Sequence, residues 1–361
     1  MLLLGVVLLG VVVSQTDLSE VWQRLRQIGP WAAAGILAAF LLGHFALAAS
    51  WQLTLPSLPG GLRPLWRAWR VLMVGSALES VTPLAGLGGD PVKAILLKRH
   101  YGISYPEATA SLVLARMTDL LAQVAFVSIG LFLVFRDGLL PAGWRAAAGA
   151  GLVVFAVMIG LFLLVQTQRG FSRLRAWLER RPFGQRLSER AVGVLDAVHE
   201  VEDRLVAFYG TQRRRFVASV GCAFLEWTGN AAAVWVAVNA LGHPIGVADA
   251  LVIEGFVALV RTTLFFVPGD LGTQEAALVM ICSAVGATPE TGLALAAIRR
   301  GRDLLWILGG LAIGGAYSLR EAPELAAEAS AERAALAAER GRVPGSYADT
   351  SAGGRSARLV R

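Results

Sequence analysis

P-W-A-A-A-G-I-L-A-A-F-L-L-G-H-F-A-L-A-A-S-W, Pro30 to Trp51, is long enough to cross a bilayer and holds no charged side chain. The uncharged stretch around it runs from Ile28 to Leu62, and two more follow, Ala146 to Gln168 and Trp227 to Ala248. A hydrocarbon core is spanned by about 20 apolar residues, so each stretch suffices. The whole chain of 361 residues is 55% hydrophobic and 16% charged, with a mean hydropathy of +0.59. Soluble chains carry about 25% charged residues. Length alone would allow two soluble domains; the composition points instead to an all-α polytopic membrane protein.

The same composition excludes other classes. Cys222 and Cys282 lie in apolar stretches, so neither a disulfide framework nor a zinc site is indicated. His44, His100, His199 and His243 form no metal-ligand pairing, and no metal or cofactor is expected. The net charge of +7 resides in segments between apolar runs, a pattern of membrane surfaces rather than nucleic acid.

Further spans are expected over Met1–Val13 and its neighbours, Tyr105–Phe135, Phe216–Leu241 and Thr291–Leu319. The N-terminal run has neither a basic leader nor a small-residue cleavage site, so it reads as a membrane helix rather than a signal peptide. Two elements are interrupted. Trp66 to Leu97 is broken by P-L-A-G-L-G-G-D (Pro83–Asp90), and Asp249 to Gly286 by P-G-D-L-G-T-Q-E (Pro268–Glu275). Half-helices joined by Pro/Gly backbone are tolerated at membrane depth only inside protein or against a wet cavity. Pro83, Gly86, Gly88, Pro268, Gly269 and Gly272 are the expected turn residues. The architecture is then about six full crossings plus two re-entrant helical hairpins.

Residues 168–215 hold eleven arginines against six acids. Arginine-rich loops stay cytoplasmic, which places both termini inside. Within this connection Val192, Leu195, Val198, Val201, Leu205 and Phe208 share one helical face. That face fits the membrane surface and the protein's own body equally well. Residues 1–320 form the membrane domain. The Ala/Glu/Arg-rich tail, 321–361, lacks the apolar content for a core and reads as a loose helix followed by disorder.

The interrupted elements are related. Pro83 and Pro268 are 185 positions apart, as are Asp90 and Glu275; Arg116 and Arg300, like Asp119 and Asp303, are separated by 184. An odd number of crossings between the halves (about 62–135 and 247–319) makes them inverted, as in many secondary transporters. A charged side chain at the bilayer centre costs ~2.5–3.5 kcal/mol on insertion scales, so such residues face a cavity or pair. Arg116 with Asp119, and Arg300 with Asp303, are neighbours on one helix face. Asp90 and Glu275 begin the second half-helices, where the helix dipole favours a carboxylate. Glu254 and Arg261 are two turns apart on one face. Buried ion pairs fixing helix register would explain each pair alone; the symmetry favours a shared cavity. Glu79, Glu226 and Asn230 are further intramembrane polar residues, and His44 and Glu226 suit interhelical hydrogen bonds.

The segments G-S-A-L-E-S-V-T-P-L-A-G-L-G-G-D-P-V-K-A-I-L-L with A-R-M-T-D-L-L, and I-E-G-F-V-A-L-V-R-T-T-L-F-F-V-P-G-D-L-G-T-Q-E with R-R-G-R-D-L-L, resemble the lysylphosphatidylglycerol synthase transmembrane-region, or flippase-like, family over roughly residues 1–320. The second half is most similar to the branch associated with hopanoid biosynthesis. The resemblance implies lipid translocation across a bacterial cytoplasmic membrane, without the aminoacyltransferase domain of the full-length synthases. Asp90 stands where relatives often carry Glu, so no head-group preference is carried over.

The leading expectation is a lipid flippase or transporter with membrane lipids as partners. Arg116 and Arg300 would draw an anionic head group, and Asp90 and Glu275 a cation or proton. A scaffold for lipid-biosynthesis enzymes is one alternative, separable by deleting residues 321–361. A membrane-embedded lipid-modifying enzyme is another, but no catalytic constellation is visible. Ion transport is left open. No phosphate-binding loop is present, which argues against direct ATP driving. Lipid identity, driving force and oligomeric state are not encoded in any motif.

Overall fold

The computed structural model describes residues 18–81, 88–137, 189–264 and 272–341, with short pieces between 149 and 164 and positions 267 and 270. The expected first span, much of the fourth, Pro83, Gly86, Pro268, Gly269, the start of the Arg-rich connection and the last twenty residues of the tail lie outside the described residues. Every regular element described is an α-helix. The chain divides into two compact units, Met1–Ile313 and Gly314–Arg361.

In the first unit, α1 (Leu18–Gln27) is a short amphipathic helix outside the expected spans, with Leu18, Val21, Trp22 and Leu25 at helical spacing. α2 (Pro30–Leu53) starts with proline in its first turn, where a missing N–H costs nothing. Its C-terminal carbonyls are covered by Arg215, which donates to Leu53 O at 2.9 Å, Leu55 O at 2.8 Å, and Gln52 O and Leu58 O at 3.2 Å. A guanidinium there satisfies orphan carbonyls and complements the helix dipole. α3 (Leu62–Val81), α4 (Asp90–Tyr101) and α5 (Tyr105–Asp137) follow, then α6 (Glu189–Thr211), α7 (Arg213–Ala240), α8 (Val247–Thr263), α9 (Thr273–Ala284) and α10 (Pro289–Gly341). α10 extends past the expected end of the last span and makes the start of the tail helical.

Among the described residues two helices are long and apolar enough to cross a membrane: α2, and α5 over Tyr105–Leu133. Both turn large apolar side chains outward, Leu42 at 70% and Phe132 at 64% exposure. Helices in lipid gain little by hiding apolar groups from one another, so close backbone contact and hydrogen bonds hold them together. α2 and α7 meet that requirement at glycines. A Cβ on Gly229 would stand 3.0 Å from Gly43 Cα and 3.2 Å from Ala39 O. Beside this crossing Ser219 Oγ lies 2.9 Å from Ser50 Oγ and 3.1 Å from Thr118 Oγ1, tying α7 to α2 and α5. Gln123 donates to Thr262 Oγ1 at 2.7 Å and joins α5 to α8.

The C-terminal part of the amphipathic connection packs on the protein's own body, while Val198 stays exposed. Leu205 and Phe208 of α6 are buried with Ala110 and Leu114 of α5. Tyr209 stands edge-on to Phe216 at 5.3 Å, and burial lifts its phenol above the ordinary range.

The two related segments build two similar triplets, α3–α4–α5 and α8–α9–α10. α4 and α9 are each twelve residues long. Each is followed by a glycine with left-handed backbone, Gly102 at φ 68° and Gly286 at φ 85°, where a Cβ would be strained. A long helix with Pro and Glu in its first turn comes next, Pro106–Glu107 and Pro289–Glu290. Gly310 links the triplets: a Cβ on it would stand 2.3 Å from Met73 O, so α10 lies directly on α3.

Candidate functional site

In the first triplet the break between α3 and α4 brings four charged side chains together. Lys93 Nζ is 2.8 Å from Asp90 Oδ1 and 3.5 Å from Glu79 Oε2. Arg116 of α5 donates to Glu79 Oε1 at 2.7 Å and has its Nε 4.0 Å from Asp90 Oδ2. Lys93 is buried, and its stem fills the space a Cβ on Gly75 would take, with Lys93 Cε only 2.2 Å from that position. Glycine at 75 is thus what lets an ammonium reach two carboxylates at the break. Gly88 and Gly89 lead into α4, and Gly89 packs on Gly75 O.

The second triplet repeats the arrangement with tighter contacts. Arg300 of α10 reaches Glu275 Oε1 through Nε at 2.9 Å and Nη2 at 2.8 Å, and Asp270 O at 3.3 Å. Glu275 Oε2 accepts the Gly272 N–H at 2.8 Å, closing the start of α9. Arg261 of α8 donates to Asp270 Oδ2 at 2.7 Å. Glu254 of α8 pairs with Arg299 of α10, both buried. Arg302 bonds Asp303 Oδ1 at 2.8 Å and lies over the Phe40 ring.

All eight residues singled out in the sequence are described, and their partners differ from the same-helix pairs the spacing suggests. Arg116 bonds to α3 rather than turning to Asp119, whose Oδ1 accepts the Trp227 indole N–H at 3.1 Å. Arg300 goes to Glu275, Asp303 to Arg302, Arg261 to Asp270 and Glu254 to Arg299. In both halves the arginine of the long helix therefore faces the carboxylate at the start of the preceding short helix. Sequence reasoning passed over Lys93, Asp270, Arg299 and Arg302. Lys93 carried a signal, standing three residues after Asp90 on one helix face.

The two clusters converge. Asp119 is within electrostatic range of Arg116 and Glu79 in the first triplet and of Arg261 in the second. Glu226 senses Asp119, Glu254 and Arg302. The Arg116 and Arg261 side chains keep 49% and 44% of their surface accessible while each pairs with a carboxylate. Two part-accessible guanidiniums among opposed charges can receive a polar group bearing negative charge. Among the described residues no cluster of His, Cys, Asp and Glu could hold a metal ion.

Comparison with known proteins follows the same line. A family model for the lysylphosphatidylglycerol synthase TM region matches residues 1–311. A UPF0104 membrane protein of Methanothermobacter thermautotrophicus is 24% identical over 316 residues, covering 83% of this chain and 89% of that protein. No solved structure matches the chain.

Proposed function

Given that the chain belongs to the lysylphosphatidylglycerol synthase TM region family, and is thus a membrane protein with a lipid-related function, we propose that it moves a lipid or lipid-linked molecule across the bacterial cytoplasmic membrane. The observation that carries this reading is that Arg116 and Arg261, from opposite triplets, keep 49% and 44% of their side chains accessible and both lie within electrostatic range of Asp119; we read the space they border as a recess for a head group. An anionic head group entering it would draw Arg116 from Glu79 and Asp90, and Arg300 from Glu275. The carboxylates keep both arginines oriented and neutralised while the recess is empty. In this reading six helices cross, two hairpins re-enter from opposite faces, and both termini are cytoplasmic. The chain performs transport, not bond chemistry.

The test is leaflet movement of labelled phosphatidylglycerol, phosphatidylethanolamine and polyprenyl phosphate in proteoliposomes, with the wild-type chain against Arg116→Gln/Arg300→Gln. Movement that needs both arginines supports the reading. Movement unchanged in a folded double variant, or absent with every lipid class, refutes it.

A further inference from the structure

We propose that Asp119 and Glu226 form a proton-binding site, and that each transport cycle of this chain carries a proton through it. The second half rests on the transport reading; the first does not. The other carboxylates around the recess each have a cation: Glu79, Asp90, Glu254, Asp270, Glu275 and Asp303 contact Arg116, Lys93, Arg299, Arg261, Arg300 and Arg302 respectively. Asp119 and Glu226 have no ion-pair partner among the described residues. Asp119 Oδ1 takes only the Trp227 indole N–H, and Glu226 Oε1 only the Asn230 amide, at 2.7 Å. Both are only partly accessible, and a carboxylate with no cation on it at membrane depth bears more of the cost of ionisation than a paired one. Each has a second oxygen that no described donor occupies, the atom a proton needs.

The donors also choose between a proton and a metal cation. A hard cation requires several oxygen ligands, whereas the groups turned to these carboxylates are N–H donors, which repel one.

The charged surroundings connect the site to the recess. Asp119, on α5, faces Arg116 of its own helix, Glu79 of α3 and Arg261 of α8. Glu226, on α7, faces Asp119, Glu254 of α8 and Arg302 of α10. A head group on Arg116 and Arg261 weakens the positive field that favours ionised Asp119, so the proton is held more firmly; when the head group leaves, the proton is held less firmly and can pass on. A third titratable group stands at the same crossing. His44 is more than nine-tenths buried, its Nε2 has no partner, and it shares Arg302 with Glu226 as a charged neighbour. Gly43, next to it, packs on Glu226 O. His44 offers the proton a further stop. The proton passes between carboxyl, imidazole and water, with no other bond changed.

The experiment is infrared spectroscopy of the full chain in phosphatidylglycerol/phosphatidylethanolamine vesicles at neutral pH. The expected result is a protonated-carboxyl C=O band that shifts in D2O, a readout on the wild type alone, and that falls to about half in Asp119→Asn or Glu226→Gln. No such band, or a band unchanged in both folded variants, overturns the proposal. Leaflet movement of labelled phosphatidylglycerol then tests coupling. Acceleration several-fold by an imposed proton gradient, lost in Asp119→Asn, supports it; movement indifferent to protons, or driven by a sodium gradient, overturns it. A protonated-carboxyl band without movement of any lipid supports the proton site and counts against the lipid reading.

Discussion

Arg300 and Glu275 are joined through two guanidinium nitrogens on one carboxylate oxygen, at 2.9 and 2.8 Å, while the other oxygen of Glu275 closes the first turn of α9 on Gly272. One carboxylate thus holds both the start of the short helix and the arginine of the long one. Its counterpart, Asp90 with Arg116, is looser: Arg116 Nε stands 4.0 Å from Oδ2, while Lys93 Nζ holds Oδ1 at 2.8 Å. The second half holds its arginine closed where the first shares it among three acidic and basic neighbours.

If the chain moves lipid as proposed, replacing Arg300 weakens that movement more than packing. On the transport reading, Arg300→Gln removes a guanidinium that an anionic head group would use, and lowers lipid movement by about tenfold, about 1.4 kcal/mol. Arg300→Lys recovers only part, since an ammonium cannot reproduce the guanidinium fork. Rates in proteoliposomes against the melting temperature of each variant separate the two effects.

The pair Glu254–Arg299 behaves differently, because both side chains are almost wholly buried, at 4% and 2%. Removing one leaves the other charge unpaired, which costs about 3–5 kcal/mol. Glu254→Gln and Arg299→Gln each lower the thermal midpoint in detergent sharply, and Glu254→Leu/Arg299→Met regains much of the loss. A double variant no more stable than the singles would count against the pair as a structural unit.

These pairings explain which parts of the molecule are legible in the sequence. The breaks at Pro83–Asp90 and Pro268–Glu275 and their common offset are properties of the chain itself, and α4 and α9 are where that offset leads. Three-residue spacing places Arg116 beside Asp119 on one helix. A guanidinium has the reach to leave its own helix, however, and the ladder of helix contacts decides its partner. Arg116 crosses to Glu79 because Gly75 and Gly89 let α3 and α4 close up around Lys93. Arg299 offered no such clue, since its partner lies 45 residues earlier on another helix. α1 does carry helical spacing, Leu18, Val21, Trp22 and Leu25, but at ten residues it is too short and too polar to stand out among membrane spans.

Among the helix crossings, α2 with α7 is the least tolerant. Gly229→Leu inserts four carbons where even a Cβ stands 3.0 Å from Gly43 Cα. Overpacking by extra methylenes costs about 1–3 kcal/mol, and here the obstacle is backbone. Ser219→Ala, by contrast, removes interhelical hydrogen bonds worth about 0.6 kcal/mol on average in membranes. The glycine variant should lose most folded protein by size-exclusion chromatography, and the serine variant little. The opposite order would show that hydroxyl bonds, rather than backbone approach, hold this crossing.

Gly75→Ala tests the first charged cluster without touching any charge. The new methyl takes the space of the Lys93 stem, whose Cγ lies 2.4 Å from the Cβ position. Lys93 must then withdraw from Asp90 and Glu79, leaving Arg116, now 4.0 Å from Asp90, as their remaining cation and drawing it toward the kind of contact Arg300 already makes. The first half comes to resemble the second, with its arginine held closed. Lipid movement in proteoliposomes is expected to fall severalfold while the fold survives, and Gly75→Ala/Lys93→Met, which shortens the obstructing stem and removes its charge, should not restore it. A Gly75→Ala protein that moves lipid at the wild-type rate would mean that Lys93 has no part in setting how firmly Arg116 is held.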